Sequence, residues 1–223
     1  MKVLGIIPAR GGSKAIPRKN LITLGKRPLL AWTCEAAKQS NLDRVVVSTD
    51  SDEIAECARS LGVEVPVMRP SHLSGDSAST MDAVIHMLEH CDEDYEAIMV
   101  LQPTSPFRTS VDINNCLSLL ISTRADSVIS VVEVGGHHPA RMKFLEGDRL
   151  VDPPFVEEYE NQPRQELRRM YIRNGAIYLT RSSVLKRRTF KGLDCVAYVM
   201  PPERSVNIDV PFDVIVAEAL VSR

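Results

Sequence analysis

The chain has 223 residues, 44% of them hydrophobic, which is enough to bury a sizeable core, and an α/β chain of this length commonly stays one domain. Its formal net charge of −2 argues against general nucleic-acid binding, which needs a broad positive field to release counterions. The apolar start is broken by Pro8 and Arg10 and is too short for a signal peptide, and no later stretch approaches the about 20 apolar residues of a membrane span. A cytoplasmic protein without a membrane partner is expected.

Along the chain, short apolar or β-branched runs alternate with amphipathic ones. Residues 2–7 read as a buried strand and run into IPARGGSKAIPRKN, where two glycines and four cations, Arg10, Lys14, Arg18 and Lys19, crowd together. Gly11 and Gly12 let backbone N–H groups approach an anion, and the cations can face a highly charged ligand such as a nucleoside triphosphate. The pattern is neither G-x-x-x-x-G-K-[ST] nor G-x-G-x-x-G, and a basic, solvated turn is the alternative.

A helix is expected over 28–39, opening on a proline suited to a first turn, and a strand over 44–49. Asp50 and Glu53 then give a capping-box-like start to a helix over 51–61, which Gly62 stops. Strands over 63–68, 97–101 and 127–134 and helices over 79–90 and 111–123 continue the alternation, which predicts right-handed crossovers and an open, mainly parallel sheet with helices on both faces. Ligands in such sheets bind beyond the carboxyl ends of the strands, where the basic loop falls. Between 135 and 170 the alternation breaks into HHP, EGDRL, DPP and a dense charged run, readable as a flexible excursion or as an insertion. It resumes at 175–180, with a short helix near 183–187, a strand over 196–200 and a last helix after Pro211.

The five cysteines are odd in number, without a C-x-x-C pair, and read as free thiols; Cys34, Cys57 and Cys116 fall in apolar helical stretches, where a small buried hydrophobe explains them. His86 and His90 have a zinc-like i, i+4 spacing, with Cys91 adjacent, but no third ligand or H-E-x-x-H pattern completes them.

PARGGSKAIPRKNL, LQPTSPFR at 101–108, RNGAIY at 173–178 and SVNID at 205–209 occur in one order across nearly the whole chain. Together they resemble the acylneuraminate cytidylyltransferase family, the CMP-sialic acid synthetases. The resemblance implies a single-domain Rossmann-like nucleotidyltransferase fold over 1–223, with 135–170 as a dimerisation insertion, and a homodimer. It implies transfer of CMP from CTP to the anomeric hydroxyl of a sialic-type sugar acid, with release of pyrophosphate and Mg²⁺ as cofactor. A sugar-1-phosphate guanylyltransferase, or a nucleotide-binding protein that has lost turnover, are the alternatives.

By the same resemblance, Arg10, Ser13, Lys19 and Asn20 hold the nucleotide, with Lys19 on the phosphates, and backbone at Pro8–Ala9 reads the base. Arg69, Ser77 and Thr80 are further nucleotide contacts, although 77–82 can also be only a capped helix start. Gln102 contacts the sugar acid, or is a polar loop residue; Tyr178 is a further sugar-site candidate, and Lys143 and Arg164 reach the partner's sugar. Asp209 is the catalytic metal ligand, or caps the helix near Pro211. Where the family often carries D-x-D, this chain has Asn207, which can offer a carbonyl oxygen but removes one negative charge.

Overall fold

A computed structural model describes residues 1–75 and 78–222. Val3–Pro8 (β1) is flanked by Arg44–Ser48 (β4) and Ala97–Val100 (β5), both parallel to it. Side chains alternate across it, as a period of two requires: Val3 and Ile7 face one core cluster, Leu4 and Ile6 the other. The first cluster is covered by Leu29–Lys38 (α1), Asp52–Ser60 (α2) and Ser110–Thr123 (α4), through Leu30, Cys34, Ile54, Ala58, Ile113 and Leu120. The second is covered by Thr80–Glu89 (α3) and the short Ser182–Leu185 (α5), through Val84, Met87 and Leu185. Thr23–Leu24 (β2) and Arg27–Pro28 (β3) form a small hairpin, beside which Pro211–Val221 (α6) closes a third cluster over Leu24, Leu29 and Ile208.

Ser127–Glu133 (β6) starts the other half of the sheet and Cys195–Val199 (β10) pairs parallel to it. The six-stranded order is completed by Tyr171–Arg181 (β9), inserted between β5 and β6 and antiparallel to both. The fold is thus α/β and mainly parallel, with helices on both faces. Phe144–Glu146 (β7) and Arg149–Val151 (β8) make a separate hairpin inside the 135–170 stretch. Among the described residues no helix is long and apolar enough to cross a membrane.

Two local expectations change. Residues 63–68 are not a regular strand: they touch the edge of β4 through isolated bridges at Glu64 and Met68, because Pro66 between them has no N–H to give a ladder. The residue capping α2 is Ser51, whose hydroxyl accepts from Ile54 N at 3.5 Å. Asp50 turns instead to the basic loop and accepts from Gly11 N at 2.8 Å.

Candidate active site

Since β1, β4 and β5 run parallel, their carboxyl ends share one edge of the sheet. A cleft of about 370 Å³ opens there, lined by Arg10, Ser13, Lys19, Asn20, Arg69, Thr80, Gln102 and Asp209. Pro8 and Gly12, Ser79, and Pro103 and Thr104 complete its walls.

The basic loop is fixed in place by its own polar groups. Asn20, 6% exposed, donates from Nδ2 to the Arg10 carbonyl at 2.9 Å, while the Arg10 guanidinium donates to the Gly75 carbonyl at 2.9 Å. Arg69, 7% exposed, donates to both the hydroxyl and the carbonyl of Ser48 at the end of β4. Burial lowers its pKa, Asp50 opposes that, and Arg10 adds to it, which places two guanidinium groups within mutual influence in an electropositive wall. Of the four loop cations, Arg10 and Lys19 line the cleft; Arg18 turns outward to Glu53 of α2 at 2.6 Å, and Lys14 is exposed outside the cleft lining.

Lys19 and Asp209, 190 residues apart, meet across the mouth: Lys19 Nζ lies 2.9 Å from Asp209 Oδ1 and donates to the Ile208 carbonyl at 3.0 Å. Asn207 donates from Nδ2 to the other oxygen of Asp209 and accepts at Oδ1 from Ser105 at 3.4 Å. The amide that replaces a second acid therefore orients the first. Asp209 does not cap α6: it is Asp213 whose side chain accepts from Asp209 N and Val210 N, each at 2.8 Å.

Gln102 reaches the cleft from a loop moulded by Arg108. This guanidinium, 2% exposed, donates to the carbonyls of Gln102 and Ala176 and to Thr33 Oγ1. Gly175, at φ +77°, stands where a Cβ would come within 2.9 Å of Gln102 Oε1, so its freedom to adopt a left-handed conformation and its lack of a side chain are both used. The charge of Arg108 sits inside LQPTSPFR, but nothing local in that string says that it points inward.

Other predicted residues are not brought here. Tyr178 lies between Val100 and Ile129 in the sheet with its ring against Phe190, 6.0 Å between centroids, and belongs to the second core cluster. Its place in RNGAIY suggested the cleft; the pleat of β9 turns it into the core. Lys143 pairs with Asp152 at the hairpin, and Arg164 lies 3.6 Å from Glu133 beside a separate cavity, so neither reaches the cleft of its own chain. Ser77 falls outside the described residues. His86 and His90 stack with ring centroids 4.5 Å apart, and no cluster of three or more metal-ligating His, Cys, Asp or Glu occurs among the described residues. The sequence reading missed Asp50 and Ser79, whose D-x-x-E and S-x-x-D contexts signal helix starts and nothing more.

An open, mainly parallel sheet with a basic cleft beyond its strand ends defines a nucleotide-handling α/β protein. Comparison with known proteins narrows this. The profile of the cytidylyltransferase family matches residues 4–190. An N-acylneuraminate cytidylyltransferase of Escherichia coli O18:K1:H7 is 36% identical, the match covering 93% of this chain and 49% of that protein. A CMP-N,N'-diacetyllegionaminic acid synthase of Legionella pneumophila subsp. pneumophila is 32% identical, covering 99% and 97%. A solved CMP:2-keto-3-deoxy-manno-octonic acid synthetase complexed with CTP has the same fold, with a TM-score of 0.76 at 18% identity over 100% of this chain and 99% of that one. The chain belongs to the cytidylyltransferase family, whose members are nucleotidyltransferases, and it spans about half the length of several relatives, 49% and 51% of the Escherichia coli and Danio rerio proteins.

Proposed function

We propose that this chain transfers CMP from CTP to the anomeric hydroxyl of a sialic-type, nine-carbon sugar acid and releases pyrophosphate. The observation that carries the reading is the convergence of Arg10, Lys19 and Arg69 with a single carboxylate, Asp209, in one cleft. Three cations match a triphosphate, and Gln102 and Thr104 on the adjoining wall offer hydrogen bonds to a polyhydroxylated acid. Relatives at 36% and 32% identity are named for acylneuraminic and diacetyllegionaminic acids, which supports an acid of that class.

The donor set fits Mg²⁺. This ion takes one or two carboxylates plus substrate phosphates rather than an all-protein cage, and Asp209 is the acid among the described cleft-lining residues. When bound, Mg²⁺ would neutralise triphosphate charge and polarise the attacking hydroxyl. The residues themselves do the positioning. Asn207 holds the Asp209 carboxylate by one oxygen, and Lys19, now paired with the other, is placed to exchange that partner for a phosphate oxygen. Pairs of this exposed kind hold by only about 0–1 kcal/mol, so the exchange costs little.

The 135–170 stretch supports a homodimer. Phe144, Leu145, Leu150 and Phe155 are 57%, 71%, 74% and 56% exposed, more apolar surface than a lone chain usually shows in one place. In this reading it covers the partner and carries Lys143 and Arg164 toward the partner's sugar site.

The test is pyrophosphate release from CTP, GTP, ATP and UTP with Mg²⁺ against a panel of eight- and nine-carbon sugar acids and sugar 1-phosphates. Release with CTP and a nine-carbon acid is expected. Release with GTP and a sugar phosphate would move the chain to guanylyl transfer, and CTP binding without release from any pair would mark a nucleotide-binding protein without turnover.

A further inference from the structure

Asp209 stands on 205–210, a stretch with no regular structure of its own, so its position relative to the cleft loop has to be set from elsewhere. Besides the contacts from Lys19, Ser105 and Asp213 described above, Ile208 N donates to the Thr104 carbonyl at 2.7 Å, and Ser205 Oγ accepts from Asn174 Nδ2 at 3.0 Å. A further tie runs deeper. Asp112, in the first turn of α4, is 1% exposed and receives Arg204 through two nitrogens, Nε at 3.2 Å and Nη2 at 2.9 Å. The same carboxylate accepts from Thr109 N and Thr109 Oγ1, both at 2.9 Å, and from the Tyr198 hydroxyl at 2.9 Å.

Thr109 is the residue that caps α4, directly after the loop presenting Gln102 and Thr104. Arg204 ends the turn that leads into Asp209. One buried carboxylate thereby joins the two adjoining segments of the cleft wall, and neither partner lines the cleft itself. A planar guanidinium bound by two nitrogens fixes orientation as well as distance, which a lysine at the same place could not do.

We propose that Asp112 and Arg204 are positioning residues that set the Asp209 carboxylate against the cleft loop. The proposal rests on reading Asp209 as the carboxylate that works on the bound triphosphate. Groups that orient metal-binding ligands typically cost about 10–100-fold in metal affinity or activity when removed. Nucleotide contacts made by Arg10 and Arg69 do not pass through this pair, so affinity for CTP should stay while the chemical step suffers.

The experiment compares wild type with Arg204→Gln, Arg204→Lys and Asp112→Asn. It reads kcat and KM for CTP, melting temperature, and Mn²⁺ affinity in the presence of CTP by paramagnetic resonance, with Mn²⁺ standing in for Mg²⁺. The expected result is a fall of about tenfold or more in kcat and in Mn²⁺ affinity with KM for CTP within about twofold, and Arg204→Lys closer to Arg204→Gln than to wild type. Wild-type kcat and Mn²⁺ affinity in the variants, with only the melting temperature lowered, would overturn the positioning role. So would full recovery by Arg204→Lys, since charge alone would then suffice. If Arg204→Gln does not fold, Arg204→Lys and Asp112→Asn carry the same readouts. A wild-type protein that neither releases pyrophosphate nor binds Mn²⁺ with CTP would overturn the functional reading, and this proposal with it.

Discussion

The cleft and the 135–170 stretch are built on opposite plans. At the cleft, groups from remote parts of the chain close on one another: Lys19 on Asp209, Asp50 on Gly11, Arg108 on Ala176. In the 135–170 stretch the ties are mostly local, Arg141 to Glu157, Lys143 to Asp152 and Tyr159 to Glu166, and every residue from 141 to 150 is exposed. The organisation of the cleft suits the proposed triphosphate, since donors fixed in advance need no reorganisation when charge develops. The hairpin stretch leaves large apolar side chains in water, a surface suited to a second protein surface.

The contrast breaks most sharply at the cleft mouth. Lys19→Ala and Asp209→Ala are each expected to lower kcat by about 10²–10³-fold, the scale of losing one charge-stabilising group. The fold should be nearly untouched, because the pair they form is worth about 0–1 kcal/mol and Asp213, not Asp209, caps α6. Pyrophosphate release beside a thermal melt separates the two effects. Unfolding of the Asp209 variant with normal activity in its surviving fraction would return that residue to a structural role.

Arg108→Met probes the floor beneath the cleft. Removing the guanidinium strands the buried Ala176 carbonyl, at about 1–3 kcal/mol, and leaves the Gln102 carbonyl with Ser105 N at 3.2 Å, so the urea midpoint should fall. An unchanged midpoint would show that the loop keeps its shape without this residue.

Asp112 yields a pH signature. Burial by itself would raise its pKa, but hydrogen bonds from Arg204, Thr109 and Tyr198 hold it below the ordinary 3.8. A carboxyl with a depressed folded-state pKa contributes stability that is fully present above the unfolded value and lost as pH falls through the folded one. The stability gap between wild type and Asp112→Asn should therefore be constant from neutral pH down to about 5 and shrink below about 4. A gap that grows with acid would contradict the assigned direction.

The smallest effect on the fold belongs to the hairpin. Leu150→Asp, at a side chain 74% exposed, should change the stability of the isolated chain by no more than about 0.5 kcal/mol. If the proposed homodimer forms through this hairpin, the substitution should nevertheless dissociate it, as read by sedimentation, and lower activity where the partner completes the sugar site. A dimer that survives both Leu145→Asp and Leu150→Asp would place the interface elsewhere.

Much of the architecture is legible in the string because it depends on short-range chemistry. The buried runs of β1, β5 and β6, the start of α2 to within one residue and the break at 135 are each set by neighbours within one or two turns. The cations Arg10 and Lys19 are legible in the basic loop itself, whereas Ser13, Asn20 and Asp209 stand out only through the family resemblance of their motifs; all five line the cleft. Composition and pattern alone thus determine a parallel α/β sheet with a basic loop at its carboxyl edge.

What they do not determine is direction and company. That β9 runs antiparallel between β5 and β6 follows from where the 135–170 stretch returns the chain, a long-range matter. Pleat decides that Tyr178 packs on Phe190 rather than facing the cleft, and burial decides that Arg69 and Arg108 turn inward while Arg18 swings out to Glu53. The meeting of Lys19 with Asp209 spans 190 residues and that of Asp112 with Arg204 spans 92. A string fixes which side chains are available, whereas their pairing depends on desolvation and distance, which exist only once the sheet has assembled.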